Sequence, residues 1–202
     1  AVDAIINCKG KVILAGVGKS GLIARKISAT FSSVGIPSFF CDPAQALHGD
    51  MGQIEKKDIL IIFSYSGNTL ELTNMLKYAN RYRIKIIGVA SKPESILLKA
   101  SDIKLILPNV KEADLNGIVP TSSTSLTLIL GDSLATTVMH QKRFSKEKFK
   151  IFHPGGNLGK SLLLAKDIMV SGKKMPVINY KKNFKQALKI MNQKKTWNSS
   201  DY

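Results

Sequence analysis

Short apolar runs alternate with longer periodic segments over roughly the first half of the chain. Runs rich in β-branched residues and bounded by polar residues are typical of strands, whereas apolar residues three or four positions apart are typical of helices. The alternation therefore predicts strand–helix–strand units around a parallel sheet, which is an α/β fold. The predicted strands are Val12–Ala15, Ser38–Cys41, Ile59–Ser64, Lys85–Ala90 and Ile103–Leu107.

The periodic segments between and after these runs predict helices. They cover Ser20–Val34, Thr69–Arg81, Pro93–Ala100 and Leu126–His140. The buried stripe of the second helix is predicted to consist of Leu70, Leu72, Met75 and Leu76, because these positions share one helical face. The fourth helix follows a run of hydroxyl residues that suits a helix start, and it is apolar enough for the core or a subunit contact.

Composition narrows the class of protein. The chain has 202 residues, of which 44% are hydrophobic, so it is long enough for one sizeable core and a small appendage. No apolar stretch approaches the roughly 20 residues that span a bilayer, so we expect no membrane partner. Cys8 and Cys41 are too few for a disulfide framework, which favours reduced thiols and a cytoplasmic location.

The net charge of +16 raises the question of nucleic acid. The lysines are spread along the chain without the interleaved aromatic residues that stack on bases, so we expect no nucleic-acid partner. A lysine-rich surface that attracts small anionic substrates is the favoured interpretation.

A glycine-rich loop, Gly16–Gly21 with the sequence GVGKSG, follows the first strand and opens a helix, where backbone amides and the helix dipole attract anions. Three interpretations compete. The phosphate-binding loop of nucleotide hydrolases needs glycine where Ile13 stands. The dinucleotide fingerprint is matched literally, with Asp42 as a possible ribose ligand, although Lys19 crowds the approach of a pyrophosphate. A turn that only packs a helix on a strand needs no ligand.

A second loop, Ser64–Glu71 with the sequence SYSGNTLE, again runs from a strand end into a helix. Hydroxyl groups can donate hydrogen bonds, and Gly67 allows a turn that directs amides to the same point. Hydroxyls and amides together suit a terminal monophosphate. The predicted phosphate ligands are Ser20, Ser64, Ser66, Gly67 and Thr69, and the serines can also cap helices.

The second loop resembles the phosphosugar loop of sugar isomerase (SIS) domains, and further segments resemble the arabinose-5-phosphate isomerase branch of that family. These segments are Gly16–Gly21, Pro37–Phe40, Ala46–Asp50, Pro120–Thr124 and His153–Gly156. The resemblance implies a five-stranded parallel sheet flanked by helices, in a flavodoxin-like sandwich. It also implies interconversion of D-arabinose 5-phosphate and D-ribulose 5-phosphate without a cofactor or required metal, which supplies a precursor for the acidic sugar of lipopolysaccharide. A homo-oligomer, dimer or tetramer, with shared active sites is implied as well.

The family resemblance also divides the chain. Residues 1–164 correspond to the SIS domain, with an incomplete N-terminal helix, and residues 165–202 to a partial first cystathionine-beta-synthase (CBS) motif followed by a tail without pattern. A truncated gene product and a cloned fragment both remain open as reasons for the missing CBS region.

Isomerisation through an enediol needs a base and groups that stabilise charge on oxygen. The resemblance implies that Glu112 is catalytic, and our hypothesis is that it removes the carbon proton. Glu71, just inside the predicted helix, is either a second acid–base group or a partner of the helix dipole. His153 is expected to transfer protons during ring opening or oxygen protonation, and Lys19 to stabilise an oxyanion. His48 is expected to order the pocket across a subunit boundary.

Two further hypotheses concern ligands and function. His48 and His153 are candidates for an inhibitory zinc site, because imidazoles with a carboxylate ligate zinc. SIS domains also serve as non-catalytic phosphosugar sensors. The presence of the four predicted catalytic residues, Lys19, Glu71, Glu112 and His153, favours an enzyme.

Overall fold

The five apolar runs pair in parallel in a computed structural model of the chain, which describes residues 1–153 and 163–194. The strand order is β2-β1-β3-β4-β5. The predicted five-stranded parallel sheet is confirmed, with strand ends that differ by one residue at most. The strands are β1 Val12–Gly16, β2 Ser38–Cys41, β3 Ile59–Phe63, β4 Lys85–Ala90 and β5 Ile103–Ile106.

Helices cover both faces of this sheet, as predicted. One expected buried residue is wrong: Leu70 is 76% exposed, because the helix begins at Leu72 and Leu70 precedes it. Leu72, Met75 and Leu76 are buried as expected. In residues 1–153 the α-helices are α1 Val2–Ile6, α2 Gly18–Ser33, α3 Pro43–Ala46, α4 Leu72–Arg81, α5 Ile96–Lys99, α6 Ser122–Gln141 and α7 Lys146–Phe152, and a short 3-10 helix covers Asp50–Gln53.

The two-residue alternation of β1 divides the core into two clusters. Val12 and Leu14 pack with Phe31 on the face covered by α2 and α6, whereas Ile13 and Ala15 face the cluster that contains residues of α4 and α5. All four strand side chains are almost fully buried. Burying one large apolar side chain contributes about 1.5–3 kcal/mol to the free energy of folding. Because β1 has a core cluster on each of its faces, apolar residues on both faces stabilise the fold.

The strand order places a ligand crevice at the carboxyl ends of β1 and β3. The chain moves outward in opposite directions from these neighbouring strands, and such a switch point leaves a crevice between the loops that follow them. Gly16, the last residue of β1, pairs with Phe63, the last residue of β3. The loops that begin at Val17 and Ser64 therefore start side by side.

The chain forms a second compact unit over residues 155–202, separate from the unit of residues 1–154. Its described part, residues 163–194, contains α8 Ala165–Ile168 and α9 Phe184–Gln193. Asn183 caps α9: its side chain accepts from the Gln186 amide at 3.0 Å, and its own amide donates to the Gln186 side chain at 3.2 Å. The Pro-Gly-Gly part of the predicted histidine loop and the predicted tail lie outside the described residues.

No helix within the described residues has the length and apolar character needed to cross a membrane.

Candidate active site

The loop after β1 is shaped by close backbone packing. A side chain on Gly21 would place its Cβ 2.6 Å from the Gly16 carbonyl oxygen, so only glycine fits there. Gly18 has a φ of 58°, in the left-handed region that favours glycine. Val17 precedes α2 without a side-chain cap, so amides of the first helical turn are left for another acceptor. The packing role and an anion-binding role of this loop are compatible.

The loop after β3 is shaped by its own hydroxyl groups. The Ser64 and Thr69 hydroxyl oxygens lie 2.8 Å apart, and the Gly67 amide donates to the Ser64 hydroxyl at 3.1 Å. The Asn68 amide donates to the Ser66 hydroxyl at 3.3 Å. Gly67 has a φ of 68° and packs closely against Ser95, so a larger residue would overlap it. The hydroxyls that we expect to bind phosphate therefore also hold the loop together.

Glu112 reaches this region from the segment between β5 and α6. One carboxylate oxygen accepts from the Thr121 amide at 2.8 Å, the Thr121 hydroxyl at 3.1 Å and the Ser123 amide at 3.2 Å. The other oxygen accepts a short hydrogen bond from the Ser123 hydroxyl. Glu112 thus caps the first turn of α6, where the helix itself offers no cap.

These contacts favour the ionised form of Glu112. The Ser123 hydroxyl and then the Thr121 amide lower the pKa of Glu112 from 4.5 to about 2, against a smaller opposing effect of desolvation. A carboxylate stabilised in this way is a weak proton acceptor, because a general base works best with a pKa near the operating pH. It becomes more basic when the Ser123 hydroxyl turns to another acceptor.

Both loops and Glu112 border one cavity of about 400 Å³ at the carboxyl edge of the sheet. Of the residues predicted from sequence, it brings together Lys19, Ser20, Ser66 and Glu112. Six further residues complete its lining: Val17, Tyr65, Pro120, Ser123, Thr124 and Thr127. The cavity therefore combines a cation, hydroxyls and a carboxylate beside the first turn of α2.

Several predicted residues are not among those that line this cavity. Ser64, Gly67 and Thr69 lie in the loop after β3 and hold its shape. Glu71 is exposed immediately before α4, and His48 is exposed in the turn after α3.

His153 ends α7, and its ring stacks on Phe149 with 3.8 Å between ring centres. Its Nδ1 lies 2.9 Å from the Phe149 carbonyl oxygen, which suits an N–H on that nitrogen and leaves Nε2 for another partner. Among residues 1–153 and 163–194, no three His, Cys, Asp or Glu side chains are grouped to hold a metal ion. The zinc hypothesis therefore stays a prediction.

Sequence reasoning did not include Tyr65, Ser123 or Thr127 among the candidate site residues. Ser123 and Thr127 are four positions apart and share one face of α6, so helical spacing would have placed them together. Tyr65 stands within the predicted phosphate loop, but nothing in the local pattern shows which way its side chain extends.

The SIS domain family model matches residues 5–137. The arabinose 5-phosphate isomerase KdsD of Escherichia coli K12 is 41% identical over 189 residues, which cover 93% of this chain and 58% of that protein. The uncharacterized protein RP505 of Rickettsia prowazekii is 43% identical, over 96% of this chain and 60% of that protein. This chain thus spans about three fifths of the length of these curated relatives.

A solved structure shares the fold. The protein c3406 of Escherichia coli CFT073, in complex with arabinose 5-phosphate, aligns with a TM-score of 0.74 at 37% sequence identity. The alignment covers 76% of this chain and 81% of the other.

Proposed function

We propose that this chain, which belongs to the SIS domain family, is an aldose–ketose isomerase that interconverts D-arabinose 5-phosphate and D-ribulose 5-phosphate. The observation that carries the proposal is the cavity bordered by Lys19, Ser20, Ser66 and Glu112. Phosphate-binding groups and acid–base groups meet there on the scale of one small sugar phosphate.

The relatives support this substrate. Proteins named arabinose 5-phosphate isomerase are about 41% identical, and a structural relative is in complex with arabinose 5-phosphate. In the proposed role, the reaction supplies a precursor for the acidic sugar of lipopolysaccharide. Cys8 and Cys41 are both free thiols, which supports a reducing, cytoplasmic setting.

The phosphate group would bind between the two loops. Ser20 and the free amides at the start of α2 approach it from one side, and Ser66 from the other. Ser64, Gly67 and Thr69 complete the second loop and would exchange some internal hydrogen bonds for bonds to phosphate oxygens. A monophosphate suits this arrangement better than the pyrophosphate of a dinucleotide, because hydroxyl donors supplement the glycine loop.

Isomerisation moves one proton from C2 to C1 of the sugar, with matching proton exchange between the two oxygens, so nothing is gained or lost overall. In the proposal Glu112 removes the C2 proton after the substrate engages the Ser123 hydroxyl, which raises the basicity of the carboxylate. Lys19 stabilises negative charge on the enediol oxygen. Glu71 remains the alternative base, and its exposed position would require the substrate or a neighbouring copy to bring it into contact.

His48 and His153 fit a shared site. Neither is among the residues that line the cavity within one chain, so the proposal assigns them to the sites of neighbouring copies in a homo-oligomer. There His153 would open the sugar ring through its free Nε2, and His48 would order the pocket. Bound zinc would inhibit by occupying both imidazoles.

The deciding experiment follows ketose formation from arabinose 5-phosphate by the purified chain. Glu112→Gln should lower kcat at least about a hundredfold while phosphosugar affinity changes little, because only proton transfer is removed. Glu94→Gln is the matched control, since Glu94 is an exposed glutamate that pairs with Lys99 at 3.1 Å. If Glu112→Gln keeps full turnover and Glu71→Gln loses it, the base is Glu71 and not Glu112.

A mixing experiment tests the shared site. Glu112→Gln and His153→Ala should each be inactive alone, and exchanged subunits should recover part of the activity, because some sites then contain both intact residues. Inactivity of a mixture that native mass spectrometry shows to contain exchanged oligomers would place both residues in the same chain's site.

The low pKa of Glu112 favours one second candidate, a phosphosugar sensor that binds without turnover. Ligand-induced stabilisation against heat by arabinose 5-phosphate, with no ketose formed, would support the sensor. Stabilisation by NAD and not by phosphosugars would favour a dinucleotide-binding domain instead.

A further inference from the structure

Tyr65 joins the carboxyl ends of three adjacent strands. It lies in the loop after β3, and its backbone carbonyl accepts from the Ser91 amide at 2.8 Å and the Ser91 hydroxyl at 2.7 Å, just beyond β4. Its hydroxyl accepts from the Val110 amide at 2.7 Å and lies 3.3 Å from the carbonyl oxygens of Pro108 and Val110, beyond β5.

The segment that Tyr65 contacts carries Glu112. Residues 107–121 connect β5 to α6 and contain neither a helix nor a strand. Hydrogen bonds fix this segment at two places: Tyr65 bonds to Val110, and Thr121 and Ser123 bond to the Glu112 carboxylate itself. Such a long irregular connection adopts one shape only where specific contacts fix it.

Tyr65 is also a wall of the candidate site. It lines the same cavity as Ser66 and Glu112, and its half-buried ring packs against the core cluster that includes Leu107. Its neighbour Ser66 belongs to the loop that would bind phosphate. Tyr65 thus belongs to the loop that would hold the phosphate group of the substrate. It is also hydrogen-bonded to the segment whose carboxylate would act on the sugar carbons.

We infer that Tyr65 is a positioning residue, whose hydroxyl sets the distance between the phosphate-binding loop and the segment that carries Glu112. The inference rests on the proposed isomerase function, because it requires both parts to act on one substrate. Rates fall steeply when a catalytic group is displaced by as little as about 1 Å from its reacting atom. The Tyr65 hydroxyl therefore acts on turnover and not on phosphosugar affinity.

Tyr65→Phe tests the inference, because it removes the hydroxyl and keeps the ring. We expect kcat to fall about tenfold while KM and the directly measured phosphosugar Kd change less than about twofold. Tyr78→Phe is the matched control. The Tyr78 hydroxyl also donates to a backbone carbonyl, that of Ile54 at 3.4 Å, and this half-buried residue does not line the cavity.

A second measurement does not depend on activity. Amide hydrogen exchange of residues 107–113 should be faster in Tyr65→Phe than in wild type or in Tyr78→Phe, because the segment loses one anchor. If the wild-type chain is an active isomerase, an unchanged kcat in Tyr65→Phe, or equal losses of kcat and phosphosugar affinity, overturns the inference. If the wild-type chain isomerises no phosphosugar, the proposed function fails, and unchanged exchange in Tyr65→Phe then overturns the positioning role separately.

Discussion

The loops that follow β1 and β3 border the same cavity, but different physical means shape them. In the first loop, Gly21 packs against the Gly16 carbonyl and Gly18 adopts a left-handed conformation. In the second, the Ser64 and Thr69 hydroxyls lie 2.8 Å apart, within hydrogen-bonding distance, and the Gly67 amide bonds to Ser64. Steric fit of the backbone defines one loop, and side-chain hydrogen bonds define the other.

In the first loop, the groups that would bind a ligand are not the groups that stabilise the loop. In the second loop, the same groups would do both. Among residues 1–153 and 163–194, the Lys19 and Ser20 side chains line the cavity and have no hydrogen-bond partner, so a ligand meets donors that the fold does not use. In the second loop the Ser64 and Thr69 hydroxyls bond to each other and the Gly67 amide bonds to Ser64, so a ligand that binds these groups must replace some of these bonds. A replaced hydrogen bond contributes less net free energy than a new one.

Gly21→Ala should have the largest effect on this comparison. Its Cβ would clash with backbone at Gly16, which no side-chain motion relieves, so we expect about 2–3 kcal/mol lower free energy of unfolding and much weaker phosphosugar binding. Gly52→Ala is the control, because a Cβ there meets nothing within 4 Å. Equal urea midpoints for the two variants would show that steric fit does not define the first loop.

Ser64→Ala should reduce both stability and affinity. It removes the hydroxyl partner of Thr69 and one of the two acceptors of the Gly67 amide, which also bonds to the Ser64 carbonyl at 2.9 Å. We expect the free energy of unfolding to fall by about 1–2 kcal/mol. Urea denaturation and calorimetric titration with arabinose 5-phosphate measure the two effects. A loss of affinity alone would contradict the internal role of this hydroxyl.

Ser20→Ala should reduce affinity alone. Its hydroxyl has no partner among the described residues, so we expect about tenfold weaker phosphosugar binding and a melting temperature within about 1 °C of wild type. Ser33→Ala, on the same helix, is the control: the Ser33 hydroxyl donates to Thr30 at 2.7 Å away from the cavity. A lower melting temperature without weaker binding would reverse the comparison between the loops.

Ser123→Ala should shift the pH dependence through Glu112. Removing the main donor to the carboxylate raises the pKa of Glu112 from about 2 towards 4.5. The acid limb of kcat/KM should therefore move to higher pH, by about one unit. Ser125→Ala is the control, because its hydroxyl donates to Thr121 at 2.9 Å and lies on an exposed part of α6. Coincident acid limbs in both variants would exclude Glu112 as the titrating base.

The same shift predicts a change in acid stability. The pKa of Glu112 is lower in the folded chain than its ordinary value of 4.5, so the stability it contributes is complete above pH 4.5 and is lost as the pH falls towards 2. Ser123→Ala reduces the difference between the pKa of Glu112 in the folded chain and its ordinary value, although Thr121 and the Ser123 amide still bond to the carboxylate. Its free energy of unfolding should therefore decline less steeply with falling pH across this window.

The position of Leu70 shows where local pattern fails. Leu70 extends the apolar spacing of Leu72, Met75 and Leu76, yet it is exposed because the turns of the second loop delay the start of α4. Pattern identifies a helical face, but the hydrogen bonds of the preceding loop decide where the helix begins. The strands were predicted more closely, since a strand buried on both faces is a continuous apolar run.

The sequence by itself determined the five strands, their α/β arrangement and the chemistry of the two loops, because these depend on residues close together in the chain. Only the tertiary structure decided that Tyr65 bonds to Val110, 45 positions away, and that the Glu112 carboxylate accepts hydrogen bonds from the first turn of α6. The Tyr65–Val110 contact depends on strand order and register, which place distant segments side by side. The Glu112 contacts depend on the folded path of the segment between β5 and α6, which no local pattern encodes.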